Sequence, residues 1–144
     1  MTKGDVYRVF KEDHEHVKDL FKETLRDNSK YPEVRKELEA HLLGEEQFLY
    51  PAMDFIDEDM VSENKREHEE AFRTMARMDN MSEDDREWKS SLERLNDLVV
   101  HHMDDEEKEN GLFDKASEVL SEEAEDDILH LYKELKAENC PPNL

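Results

Sequence analysis

One cysteine, Cys140, stands among 144 residues, so the chain can close no internal disulfide and can build no metal site from several thiolates. Three glycines and four prolines are too few for the turn punctuation of a β-sandwich or barrel. Positive charge is also scarce: 20 Lys and Arg face 41 Asp and Glu, a formal net charge of -21 at pH 7. Phosphate backbones are gripped by basic patches, so nucleic acid is excluded as a partner, and an anionic membrane surface would repel the same acidic coat. No apolar run approaches membrane-spanning length, and the N-terminal MTKGDVYRVF has no signal-like apolar stretch. A cytoplasmic protein is expected.

What the chain does have is helix-forming residues. Glu, Lys, Leu, Asp and Arg dominate, and the length suits one domain over residues 1–144. The first helix is expected from about Gly4 to Arg26, with Thr2 and Asp5 as its start signal and Val6, Phe10, Val17, Phe21 and Leu25 on one stripe. The second begins near Pro32 and carries Val34, Leu38, Leu42 and Leu49, with Pro51 expected to kink or end it. The third, about Asp59 to Asp79, carries Val61, Ala71, Phe72, Met75 and Met78. The fourth runs to about Asn110 with Trp88, Leu92, Leu95 and Val99, and Gly111 breaks it. Four such helices joined by short turns predict an all-α, up-down-up-down four-helix bundle over about residues 5–115. A C-terminal helix, about residues 117–138, is amphipathic through Ala124, Ile128, Leu131 and Leu135 and stops at Pro141 and Pro142. It should pack across one end or side of the bundle.

The histidines fall on these stripes at the 3.6-residue period. His14 lies four after Phe10 and three before Val17. His41 lies three after Leu38, with Glu45 four residues on and Leu49 four beyond that. His68 lies seven after Val61, and His102 lies three after Val99 with Glu106 four residues on. Each of the four helices thus turns one histidine inward, and two add a carboxylate one turn later. Gly44 sits between His41 and Glu45, although glycine costs a helix interior about 1 kcal/mol relative to alanine.

A lone histidine on an apolar face is usually a satisfied core residue. Here that explanation must be repeated four times, and two unpaired buried carboxylates would cost several kcal/mol each. A metal centre accounts for all six. Six donors are too many for one tetrahedral zinc, and calcium or magnesium would prefer oxygen alone. Mixed imidazole and carboxylate suits iron, manganese or, with fewer ligands, zinc. Two metals, each with two histidines and both bridged by Glu45 and Glu106, would use the whole set. His16, His101 and His130 are out of phase and are expected to be exposed or structural; Glu46 and Glu107 are expected to be solvated or to support the ligand imidazoles.

The set of His14, His41 with Glu45, His68, and His102 with Glu106 resembles the hemerythrin-like HHE cation-binding domains, and HLLGEEQFLYP looks like their HxxxEE stretch followed by apolar residues and proline. The resemblance implies a four-helix bundle around a non-haem di-iron centre with an oxo or hydroxo bridge. It also implies binding of O2, NO or peroxide at iron, or the sensing and handling of iron. Oxygen carriers of the family have HxxxH on the third helix, where this chain has Phe72 four residues after His68. The four-histidine, two-glutamate set looks more like bacterial proteins linked to nitrosative stress and iron-centre repair. A binding, sensing or scavenging protein is the leading expectation. A di-iron enzyme reducing peroxide or nitric oxide, and a metal-free acidic bundle that binds partners, are the alternatives. Phe72 is expected to face the metal layer as an apolar ring.

Overall fold

The computed structural model describes residues 4–140, and every regular element among them is helical. Helix α1 spans Asp5–Arg26, α2 Tyr31–Gly44, α3 Tyr50–Met53, α4 Glu58–Asp79, α5 Arg86–Glu107, α6 Leu112–Val119 and α7 Glu122–Asn139. The Thr2 half of the first start signal and the Pro141–Pro142 stop lie outside the described residues. Side-chain caps mark two starts: Asp57 accepts from the Met60 amide before α4, and Ser121 accepts from the Ala124 amide before α7.

Two apolar clusters make the core. One gathers Val17, Leu20, Phe21, Val34, Leu38, Leu42, Met75, Trp88, Leu92 and Val99. The other gathers Val6, Phe10, Leu49, Met53, Val61, Leu112, Phe113, Ile128 and Tyr132. Along α1 the chain passes from the second cluster to the first, and His14 lies at the crossing. The same is true of α4 at His68, while α2 and α5 run the other way: they stay in the first cluster through Leu42 and Met103, just past His41 and His102, and the chain enters the second at Leu49 and Leu112. The polar donors therefore form a layer between two dry regions.

Pro51 does not end the second helix at its own position. Glu45–Leu49 form one turn of π-helix between α2 and α3, with the Tyr50 amide bonded to the Glu45 carbonyl, and the helix continues to Met53. The wide turn opens the backbone where the proline ring would otherwise meet the carbonyl four residues earlier.

The C-terminal expectation needs two corrections. In place of one helix over 117–138 there are two, α6 and α7, separated at Leu120 and Ser121. Helix α7 lies along α1 and α2 and against the π-turn. Its buried residues are Glu125, Ile128, Leu129 and Tyr132, whereas Leu131 is exposed. Glu125 occupies a core-facing position through its contact with the Tyr7 hydroxyl, which hides the true apolar stripe from a reading by hydropathy. The two leucines discriminate between the registers. Leu129→Ala should cost about 2–5 kcal/mol, and Leu131→Ala within about 0.5 kcal/mol of nothing, as measured by urea denaturation.

Candidate metal centre

All six inward-facing residues are buried: His14, His41, Glu45, His68, His102 and Glu106. They fall into two groups of four whose donor atoms lie within 4.8 Å of one another. One is His14, His41, Glu45 and Glu106; the other is Glu45, His68, His102 and Glu106. Both carboxylates belong to both groups. Glu45 Oε1 is 3.4 Å from His41 Nε2, 3.2 Å from His68 Nε2 and 3.5 Å from His102 Nε2. Glu106 divides its oxygens, with Oε1 3.4 Å from His14 Nε2 and Oε2 3.5 Å from His102 Nε2.

The imidazoles meet in pairs, nitrogen to nitrogen. His14 Nε2 is 3.0 Å from His41 Nε2, and His68 Nε2 is 2.8 Å from His102 Nε2. On the outer side of each ring, Nδ1 meets a carboxylate from the preceding helix of the ring of four. Asp13 on α1 reaches His41 at 2.8 Å, and Glu46 after α2 reaches His68 at 3.2 Å. Glu67 on α4 reaches His102 at 2.9 Å, and Glu107 on α5 reaches His14 at 2.7 Å, closing the circle. A carboxylate at Nδ1 keeps the proton there and turns the lone pair of Nε2 inward.

This donor set fits a bound cation. Both oxygens of Glu45 and Oε1 of Glu106 are buried with no hydrogen-bond donor. The paired Nε2 atoms, 3.0 and 2.8 Å apart, face the same two buried carboxylates, so each pair with Glu45 and Glu106 could hold one cation. In the absence of a cation, protons must serve instead. Burial works against charge on His41, but Glu45 and Asp13 outweigh it and carry its pKa up to about 10. The same contest, won by Glu106, Glu45 and Glu67, raises His102 well above the ordinary histidine value. Burial would raise Glu45, but His41, His102 and His68 hold it well below the usual carboxylate range. Glu106 goes up through burial and the nearby Glu45 charge.

Aromatic rings close the layer. Phe113 on α6 stacks on His14, with centroids 5.6 Å apart. Tyr50 is fully buried, its hydroxyl 2.8 Å from His68 Nε2 and donating to Glu106 Oε2 at 2.9 Å. A uniform α-helical projection would put Tyr50 about 140° from Glu45. The π-turn is what brings it back to the donors. Phe72, expected to face this layer, is half-buried against the first cluster and borders a surface groove with Glu46, Lys65 and Arg73. Tyr50 reaches the donors; Phe72 does not.

His16, His101 and His130 are exposed. Glu46 and Glu107 do support imidazoles, and Asp13 and Glu67 do so as well. Their sequence signal was an acidic residue immediately before His14 and His68, the counterpart of the acidic residue immediately after Glu45 and Glu106.

The family model described as Hemerythrin HHE cation binding domain matches residues 5–116, from the start of α1 into α6. No curated protein and no solved structure matches the chain. Among the described residues, no helix is long and apolar enough to cross a membrane.

Bound metal opposes the pH dependence of the metal-free protein. In the metal-free protein the raised pKa of His41 contributes stability that is full below its unfolded value of about 6.5 and is lost as pH rises through about 10. A cation must displace that proton, so its affinity should rise over the same range. Urea midpoints of chelator-treated protein should therefore fall from pH 6.5 to 9.5, while those of metal-loaded protein fall less or rise.

Proposed function

The chain belongs to the hemerythrin HHE cation-binding family, and from that premise we propose that it holds a non-haem di-iron centre that binds or senses O2, NO or peroxide, or handles iron. The observation that carries this reading is the sharing of both buried carboxylates between two four-donor groups. One cation would take His14 and His41, the other His68 and His102, with Glu45 and Glu106 spanning both. Mixed imidazole and carboxylate donors suit iron, with manganese or zinc as substitutes. We also read α1, α2, α4 and α5 as an up-down-up-down bundle, supported by the alternate order in which they cross between the two clusters. The domain would extend over residues 1–144, with α7 part of it.

Iron, when bound, supplies coordination of a small ligand and one-electron chemistry on it. The protein's own residues set the conditions. Two apolar clusters and the Phe113 ring exclude water from the layer, which strengthens every charge interaction inside it. The four Nδ1 carboxylates hold the imidazoles in one tautomer and raise their basicity. The Tyr50 hydroxyl offers a proton at the edge of the donor set. That hydroxyl favours a second reading, reduction of bound peroxide or nitric oxide, or a stress-response repair role, over long-lived storage of O2. The chain also lacks the fifth histidine of the carriers it resembles, having Phe72 at that position.

Metal analysis of the purified protein should give about two irons per chain. Glu45→Ala or Glu106→Ala should abolish paired occupancy, whereas Glu46→Ala or Glu107→Ala should weaken affinity only about 10- to 100-fold. Equal loss from all four would contradict the assignment of roles. Mixing the anaerobic reduced protein with air or NO in a stopped-flow spectrometer should give a fast optical change. A stable, fully reversible oxy spectrum would mark an O2 carrier instead.

A further inference from the structure

Gly44 lies between two of the inward-facing residues and is buried. A Cβ built on it would stand 2.5 Å from Cε1 of Tyr132 and closer still to Cδ1. The ring of Tyr132 therefore rests directly on the backbone of α2, in a space that only a glycine leaves open. Phe10 holds the same ring edge-on, with centroids 4.7 Å apart. The hydroxyl at its tip is 2.7 Å from His41 Nδ1 and donates to Asp13 Oδ2, itself 2.8 Å from the same nitrogen. Lys136, one turn further along α7, reaches both Asp13 oxygens at 3.1 and 3.2 Å and Glu37 at 2.5 Å. Among the described residues, His41 is the imidazole whose Nδ1 meets a tyrosine hydroxyl as well as a carboxylate. Both side chains come from α7, which begins after the family match ends at residue 116.

We propose that Tyr132 is a positioning residue of the metal centre: delivered by the C-terminal helix into the gap at Gly44, it fixes the proton and the orientation of His41 through Asp13, and so sets the cation affinity of the His14–His41 half. The proposal rests on the reading of the six donors as metal ligands. Its physical basis is the triangle of His41, Asp13 and Tyr132. The tyrosine proton occupies one lone pair of Asp13 Oδ2 and Lys136 neutralises the carboxylate, so Asp13 is held in one rotamer facing His41. The ring orientation of His41 follows from that, and with it the direction of the Nε2 lone pair. The His68–His102 half has no element of α7 at its outer nitrogens and stays as it is.

The test uses the full chain and Co(II) alone as the probe. Unmodified protein should take up two Co(II), and proton NMR of the loaded form should show four metal-shifted, exchangeable Nδ1–H signals, one for each carboxylate-held imidazole. Tyr132→Phe keeps the ring and removes the hydroxyl. It should weaken one Co(II) site by about 10- to 100-fold, leave the other unchanged, and move or broaden one Nδ1–H signal of the four. Asp13→Asn should weaken the same site more, and Lys133→Ala, an exposed change on the same helix, should alter nothing. Tyr132→Phe with both affinities and all four signals unmoved would overturn the proposal. So would equal weakening of both sites with unmoved signals and a lower melting temperature, which would make Tyr132 merely structural. Failure of the unmodified protein to bind Co(II) at all would instead overturn the ligand reading beneath it, and this proposal with it.

Discussion

Two carboxylates buried between two apolar clusters are the constraint around which the rest is arranged. Three of the four oxygens of Glu45 and Glu106 receive no hydrogen bond. Each buried charge costs several kcal/mol even after relaxation, against a total stability of about 5–15 kcal/mol for a domain. Something positive must therefore occupy the layer. In the metal-free chain that role falls to protons on His41 and His102, whose pKa values are raised for this reason. A pair of cations would replace those protons and satisfy the oxygens directly.

The acidic residues around the layer extend the same logic outward. Asp13, Glu46, Glu67 and Glu107 each sit beside a donor in sequence, yet each serves a histidine on a neighbouring helix. The four contacts form a closed circle through α1, α2, α4 and α5. Moving any one helix along its axis would break one contact on each side of it. The polar layer thus fixes the register of helices that apolar packing alone would allow to slide, at the cost of burying charge. Lys136 and Tyr132 tie α7 into the same circle at Asp13.

The six candidate donors were legible because all six lie where an unbroken 3.6-residue period holds. His41 and Glu45 are separated by one α-helical turn, and the π-turn begins only at Glu45. Tyr50 was hidden because it lies beyond that change of period. Asp13 and Glu67 were hidden for another reason: they face sideways, toward a neighbouring helix, and a stripe analysis asks only what faces inward. Helix α6 is two turns long, too short to show periodicity, yet it delivers Phe113 onto His14. The register of α7 was missed because its core face carries Glu125. Gly44, whose cost to the helix had no explanation in the sequence, is accounted for by the Tyr132 ring.

The proposed function requires two cations, one at the His14–His41 pair and one at the His68–His102 pair, with Glu45 and Glu106 shared between them. Anomalous X-ray diffraction at the iron edge, from crystals of the iron-loaded protein, measures this directly. The account predicts two peaks in the buried layer, one against His14 and His41 and one against His68 and His102. A single peak, or iron found only on the acidic surface, would contradict it.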